Sequence, residues 1–219
     1  MVSVVIPALN EDTRIGAAID SAWSAGAAEV LVADGGSRDD TIDVARARGA
    51  VVLEAAGVRG QQLNRGAAAA TGAHVIFLHA DTLLPPGACE AVARSGARFG
   101  GFRLAFLEPA RRLRVAAFMI NLRTSLTRCP WGDQAQFVER ESFLSMGGYR
   151  EIPLMEDYDL AVRMGGGVVL PLTVRTSGRR FLEQGLLRTS ATNWRVIIGW
   201  RLGVDPETLA RWYRGRGGS

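Results

Sequence analysis

Short apolar runs alternate with amphipathic segments along the first part of the chain, to about Ser95. Each run is four or five residues long, as in strands buried inside a parallel sheet. The segments between them place apolar residues on one helical face, as in residues 13–25. This alternation predicts right-handed βαβ units and a mostly parallel α/β sheet flanked by helices. The predicted strands are residues 3–7, where Pro7 ends the ladder, 29–33, 50–53 and 75–78.

The second half of the chain continues this plan less regularly. Residues 99–106 predict a strand in which Gly100 and Gly101 form a bulge or allow a close backbone approach. Residues 110–127 predict a basic amphipathic helix. The other predicted helices are 40–49, 60–71, 141–146, 156–164, 189–202 and 206–213, with strands at 134–138 and 168–170 and a polar loop at 175–180.

Polar residues follow three of the predicted strands, at residues 7–11, 34–37 and 79–81. Parallel strands bring their carboxyl ends to one edge of a sheet, where ligands of α/β folds bind. The chain has neither Gly-x-Gly-x-x-Gly after its first strand nor a Gly-Lys-Ser phosphate loop. A nucleotide would therefore lie across the strand ends, with Asp81 and a divalent cation, Mn²⁺ or Mg²⁺, offsetting its diphosphate. Alternatively, Asp81 begins a turn or caps the following helix.

The charge distribution is uneven. The net charge is +4 and all 26 basic residues are arginine. Residues 175–219 carry nine Arg and three acids, a balance of +6, and residues 103–128 carry six Arg and one acid, a balance of +5. Such segments favour contact with phosphate, whether of a nucleotide, a lipid headgroup or a nucleic acid. The C-terminal helices, with Trp194, Trp200 and Trp212, either pack as a subdomain or rest on an anionic membrane surface.

The composition favours a cytoplasmic location. Hydrophobic residues make up 47% of the chain, enough for a core, yet no apolar run reaches the length of a membrane span. The first residues enter a strand directly, so we expect no signal peptide. Cys89 and Cys129 lack metal-ligand or redox spacing. The basic tail extends the expected location to a peripheral position on the inner face of the membrane.

The motifs, taken in order, resemble family 2 glycosyltransferases of the GT-A fold. The resemblance rests on residues 4–11, 34–37, Asp81, 155–157 and 176–180, and so covers most of the chain. It implies a Rossmann-like GT-A sheet and an inverting transfer from a nucleotide sugar, with UDP favoured, to an unidentified acceptor. Residues 1–180 would form the transferase domain, with a nucleotide-binding half (1–95) and an acceptor and catalytic half (96–180). Residues 181–219 would be a helical extension packed on it.

The resemblance also implies which residues hold the donor. His79 stands where the family usually has the first Asp of a metal motif, so Asp81 is the better metal ligand and His79 either ligates or is structural. Arg179 and Arg180 would hold the diphosphate, or form an exposed basic loop. The nucleoside would lie on the first two strand tips and a helix start, whose polar residues could equally be caps. The expected nucleotide contacts are Pro7, Ala8, Asn10, Glu11, Asp34, Gly35, Gly36, Arg59, Gln62, Asn64 and Ala80.

Asp157 is the expected catalytic base, with Glu156 as the neighbour that positions it or raises its pKa. A base must reach the acceptor hydroxyl as its oxygen attacks the anomeric carbon. An acid-rich helix start, favoured by the helix dipole, is the structural alternative for this pair. Gly132, Asp133 and Gln134 are assigned to an acceptor-side loop.

Three other classes of protein fit parts of the pattern. A sugar nucleotidyltransferase would need a Gly-rich basic loop after the first strand, which the residues from Ala8 to Glu11 do not supply. A non-catalytic nucleotide-sugar binding protein on a degenerate GT-A fold is favoured by His79 and opposed by Asp157. A nucleic-acid binder is disfavoured because the basic segments carry no recognised binding motif.

Overall fold

The computed structural model describes residues 1–214. Its strands form one sheet in the order β3-β2-β1-β4-β7-β6-β8-β5, and four of the seven neighbouring pairs are parallel. This confirms the predicted α/β class with a mostly parallel sheet. The strands are β1 (Val2–Ala8), β2 (Glu29–Asp34), β3 (Val51–Glu54), β4 (His74–Phe77), β5 (Thr82–Leu83), β6 (Phe99–Phe106), β7 (Phe137–Glu139) and β8 (Val168–Thr176).

Strand β1 organises the parallel half and is buried along its whole length. Pairing with β2 sets Ala8 beside Asp34 at the ends of both strands. On the other side, β4 pairs with β1, and the N–H of Leu78 continues that ladder to the carbonyl of Val5 (2.9 Å). The ladder to β4 stops there, whereas the ladder to β2 runs through Pro7, so Pro7 ends only one of the two ladders as predicted. Three strand ends therefore open at one edge.

The mixed half is built around β6. β6 pairs antiparallel with β7 and parallel with the long strand β8, which extends six residues beyond the predicted end at 170. A Cβ on Gly100 would lie 2.5 Å from the carbonyl oxygen of Val168, which confirms the predicted close approach. The register shift of β6 falls just after the glycines, between Phe102 and Arg103. This half brings the end of β8 beside the residues that follow β4.

Helices cover both faces of the sheet and enclose two apolar cores. The predicted buried face of α1, with Ile15, Ala18, Ile19 and Ala22, is confirmed. The helices are α1 (Asp12–Ser24), α2 (Thr41–Ala47), α3 (Arg59–Ala69), α4 (Ala88–Ser95), α5 (Arg111–Thr127), α6 (Arg140–Ser145), α7 (Glu156–Arg163), α8 (Arg179–Gln184), α9 (Leu186–Arg201) and α10 (Pro206–Arg214), with a short 3₁₀ helix at Gly132–Gln134.

The C-terminal helices pack against the rest of the fold through a third apolar cluster. Val196 and Ile197 of α9 and Leu209 of α10 are buried with Met155 and Tyr158 at the start of α7. The partly buried Trp200 and Trp212 join this cluster, whereas Trp194 is 57% exposed. Packing therefore accounts for two of these three tryptophans. Within residues 1–214, no helix combines the length and the apolar character that crossing a membrane requires.

Candidate active site

A cavity of about 740 Å³ opens at the edge where β4 and β8 end. Its lining combines the residues after β4, the end of β8, the start of α7 and one face each of α5 and α9. Long-range contacts thus gather side chains that are far apart in sequence. The charged or titratable groups of the lining include Arg59, His79, Asp81, Asp133, Asp157 and Arg180.

Three hydrogen bonds hold Asp157 in the cavity wall, two to its carboxylate and one to its carbonyl oxygen. The N–H of Gly132 donates to its Oδ2 (2.8 Å) and the N–H of Tyr158 donates to its Oδ1 (2.7 Å). Gln136 Nε2 donates to its carbonyl oxygen (2.9 Å). Met155, two residues earlier, has a φ of +73°, a conformation that a bulky side chain adopts only where the surroundings enforce it. The carboxylate is therefore oriented and keeps free lone pairs toward the cavity.

Glu156 points away from the reaction site and pairs with Arg59. Its side chain is only 2% exposed, and Arg59 Nε donates to its Oε1. Burial alone would lower the pKa of Arg59, but the charges of Glu156 and Asp157 outweigh burial and raise it. The prediction that Glu156 positions Asp157 directly is not what the contacts show. Glu156 positions Arg59, which lines the cavity beside Asp157.

His79 is a neutral imidazole that faces Asp157. Its pKa is lowered to about 4, first by burial and second by the charge of Arg59, whose Nη1 lies 3.4 Å from His79 Nε2. A Cβ added to Gly132 would lie 2.8 Å from His79 Nε2 and 3.2 Å from Asp157 Oδ2, so both groups border one small space. Asp81 lines the same cavity. A neutral imidazole and a carboxylate can both ligate a divalent cation.

Asp133 and Arg123 form a second polar group in the wall. Burial raises the pKa of Asp133 to about 6, and its Oδ1 is enclosed without a hydrogen-bond partner. Arg123 stacks on the ring of Trp131 (3.5 Å) and donates to Gln134 Oε1 (3.2 Å). Neither Arg123 nor Trp131 was predicted as a site residue, although Arg123 belongs to the basic helix predicted at residues 110–127.

The structure places Gln134 behind the cavity, which contradicts its assignment to acceptor contact. The side chain is fully buried. Its Oε1 accepts from Thr124 Oγ1 (2.7 Å), and its Nε2 donates to the carbonyl of Phe102 (3.0 Å). Gln134 therefore holds the 3₁₀ turn in place, while Gly132 and Asp133 of the same turn lie at the cavity.

The first two strand tips form one polar surface beside the start of α3. Asp34 accepts from the N–H groups of Gly36 (2.8 Å) and Ser37 (2.9 Å), so its carboxylate shapes its own loop. The N–H of Asn10 donates to Ser37 Oγ (2.9 Å), which ties the two tips together. The side chain of Gln62 lies directly over Gly35, where no Cβ would fit. The N–H of Gly35 donates to the carbonyl of Ala8 (2.8 Å), which follows Pro7 in β1, and Glu11 pairs with Arg14.

Three further residues that were predicted to contact the nucleotide or its diphosphate lie apart from the cavity. The Asn64 side chain bonds the main chain of Tyr149 (2.8 and 2.9 Å), so it links α3 to the loop before α7. Arg179 pairs with Glu183 at the surface, and Ala80 is buried. Arg180 does line the cavity, where it stacks on Tyr213 (3.4 Å). The predicted loop at 175–180 is shorter than expected, since β8 runs to Thr176 and α8 begins at Arg179, which leaves Ser177 and Gly178 between them.

Comparison with known proteins gives this site a family context. Residues 3–97 match the family described as glycosyl transferase family 2. No curated protein matches the chain. Among solved structures, glucosyl-3-phosphoglycerate synthase from Mycobacterium tuberculosis, in complex with Mn²⁺, UDP and glucosyl-3-phosphoglycerate, is 23% identical over 94% of this chain and 81% of its own, with a TM-score of 0.56.

A second enzyme shares the fold. Mannosyl-3-phosphoglycerate synthase from Rubrobacter xylanophilus is 20% identical over 94% of this chain and 76% of its own, with a TM-score of 0.59. A further complex of the mycobacterial enzyme, with Mn²⁺, UDP-glucose and phosphoglyceric acid, has a TM-score of 0.58 at 23% identity, over 94% of this chain and 80% of its own. The chain therefore has the GT-A fold of these glycosyltransferases, and its residues 3–97 match the glycosyl transferase family 2 model.

Proposed function

We propose that the protein transfers a sugar from a nucleoside-diphosphate sugar, UDP-sugar above all, to an acceptor hydroxyl with inversion of configuration. The observation that carries this proposal is the anchored carboxylate of Asp157, which shares a cavity with Asp81, His79 and Arg180. The UDP and UDP-glucose complexes of the structurally similar synthases support uridine as the nucleoside of the donor.

In this proposal Asp157 is the base. It accepts the proton of the acceptor hydroxyl as that oxygen forms a bond to the anomeric carbon. The bond from that carbon to the diphosphate breaks on the opposite face, and the electron pair leaves with the nucleoside diphosphate. Attack and departure on opposite faces give inversion. Gly132 keeps the carboxylate aimed through its N–H, so Asp157 needs no reorganisation during the reaction.

The departing diphosphate would be held by Asp81, His79 and two arginines. Asp81 and His79 would hold Mn²⁺, or Mg²⁺ less well because of the imidazole. Such an ion offsets the charge that develops on the leaving group. His79 is available because its lowered pKa, about 4, keeps the imidazole unprotonated near neutral pH. Arg180 and the Glu156-braced Arg59 would contact the phosphates as fixed positive charges.

We assign the nucleoside to the polar surface that residues 7–11 and 34–37 form at the ends of β1 and β2. Gly36 has open space that leaves room for a flat base, whereas the space at Gly35 is filled by the Gln62 amide, which would contact the base. Asp34, buried and bound to its own loop, would act mainly by holding that loop in shape.

The test is calorimetric titration of UDP and of GDP, each with and without Mn²⁺, alongside hydrolysis of UDP-glucose with water as the acceptor. UDP binding that strengthens with Mn²⁺ and weakens at least tenfold in Asp81→Asn is expected. Asp157→Asn should bind UDP within about twofold of the parent and lose hydrolysis by a factor of about 100 or more. Asp43→Asn, on the exposed face of α2, is the matched control and should change neither.

Two results would count against the proposal. Absence of binding for both nucleotides would remove the donor site. Normal UDP binding by a parent protein that hydrolyses UDP-glucose no faster than the Asp157→Asn variant would favour the non-catalytic binding protein.

A further inference from the structure

The part of the cavity beyond the charged groups is walled by apolar side chains of α5 and α9. Four residues of α5 line it at helical spacing, Val115, Met119, Leu122 and Leu126, and Trp194 of α9 lines it as well. All five are exposed in the structure, by 43–77%. The spacing places the α5 residues on one face, so they form a continuous stripe rather than scattered surface positions. Contiguous exposed apolar surface in a concave site indicates a ligand or partner that covers it.

Buried polar atoms without partners lie in the wall of the same cavity. Among the residues that the structure describes, Arg123 Nε, Asp133 Oδ1 and Thr189 Oγ1 are enclosed and form no hydrogen bond. All three residues line this cavity. Buried polar groups are normally paired, because leaving one unpaired is unfavourable. The wall of the cavity therefore contains polar side chains as well as apolar ones, and these would favour a bound molecule that carries a hydroxyl group.

On the basis of the proposed function, we propose that the acceptor is an amphiphilic alcohol. Its apolar body lies between α5 and α9, and its hydroxyl reaches Asp157. Continuity of the apolar stripe with the charged groups in one cavity argues for a single molecule with an apolar and a polar end. A volume of about 740 Å³ suits a ligand of that kind together with a sugar. A second copy of the chain could cover the exposed stripe but would not fill a cavity that ends at Asp157.

The probes are glycerol, 1-butanol, 1-hexanol and 1-octanol, titrated calorimetrically into the full chain. Each methylene that enters the apolar wall should tighten Kd by about fourfold. 1-Octanol should therefore bind far more tightly than 1-butanol, and glycerol should not bind measurably. With UDP-glucose and Mn²⁺ present, the longer alcohols should also accept glucose at rates that follow the same order.

The chain offers a matched pair of variants. Leu126 and Leu202 are both 77% exposed, but only Leu126 lines the cavity. Leu126→Ser should weaken 1-octanol binding threefold or more, whereas Leu202→Ser should leave it unchanged. UDP titration of Leu126→Ser should match the parent, which separates this inference from the proposed function. Failure of UDP to bind would defeat the proposed function, and failure of the alcohol series alone would defeat this inference.

Three results would overturn the amphiphilic acceptor. An affinity that does not depend on chain length would show that the apolar wall is not used. Equal losses in Leu126→Ser and Leu202→Ser would show non-specific surface adsorption. A change of sedimentation coefficient in Leu126→Ser, with no alcohol binding to the parent, would assign the stripe to self-association.

Discussion

At the scale of single residues, the folded protein disfavours the ionised form of Asp133. Its pKa is raised from an ordinary 3.8 to about 6, chiefly by burial. Well below pH 3.8 the carboxyl is protonated in both the folded and the unfolded chain. As pH rises to 6 the unfolded chain ionises first, so folding stability falls, by at most about 3 kcal/mol. Above pH 6 this loss is complete.

Asp133→Asn should therefore raise the midpoint of thermal unfolding at pH 8 and have little effect at about pH 3, where both side chains are largely neutral. The same variant should slow sugar transfer, since the acceptor loses a charged partner. Calorimetric melting at the two pH values measures the first effect. Equal melting temperatures for parent and variant at pH 8 would show that the Asp133 charge is tolerated in the fold.

Of the predicted residues that line the cavity, His79 and Asp81 were predicted from a strand end and Asp157 from its motif. His79 and Asp81 follow a strand directly, so the topology alone brings them to the ligand-binding edge. Arg123 gave no such signal, because its place in the cavity depends on stacking with Trp131 from a later turn. Gln134 was assigned from its local motif, yet its amide groups are used by Thr124 and Phe102. Contacts of this kind join residues from different elements, so a local sequence pattern does not predict them.

At the scale of elements, the pair of Arg59 and Glu156 connects the start of α3 to the start of α7. The two residues are 97 positions apart, and Glu156 is 2% exposed while Arg59 is 41% exposed. Arg59→Ala would leave a buried carboxylate uncompensated, which we expect to cost about 2 kcal/mol, less than a fully buried pair because water reaches Arg59. Urea unfolding measures this loss.

Two further variants make the prediction on this ion pair specific. Arg65→Ala, an exposed arginine on the same helix, should change the urea midpoint little. Adding Glu156→Gln to Arg59→Ala should recover part of the loss, because the uncompensated charge is then gone. If the double variant is as unstable as Arg59→Ala, the cost lies in lost packing of the Arg59 stem rather than in charge.

The element boundaries show where local sequence is sufficient. The strands β1, β2 and β4 follow from their apolar runs, because they are buried almost throughout, whereas β3 is partly exposed. The end of β8 does not, since Arg175 and Thr176 are polar and resemble a loop. They are strand because Leu83 and Thr82 of β5 pair with them on one side and β6 on the other. Tertiary pairing overrides local propensity there.

At the scale of the whole molecule, the two helices that carry the apolar stripe and Trp194 are strongly basic. Residues 111–127 contain four arginines and residues 186–201 contain three, a total of seven, and neither segment contains Asp or Glu. Basic and exposed apolar residues on one face favour an anionic lipid surface. An amphiphilic acceptor would be most concentrated at such a surface, which gives the charge pattern a role in substrate capture.

The charge pattern predicts that the protein sediments with phosphatidylglycerol vesicles and remains in solution with phosphatidylcholine vesicles. Binding should weaken as salt is raised, because screening shortens the reach of exposed charges. Arg112→Ser on α5 should reduce the vesicle partition coefficient about fivefold, the effect of one arginine near an anionic surface. Arg46→Ser on α2, equally exposed but on another element, is the control and should bind as the parent does. Equal partition of both variants would place the lipid contact away from α5. If the parent shows an unchanged distribution with anionic vesicles, the arginines contact only the donor and the acceptor.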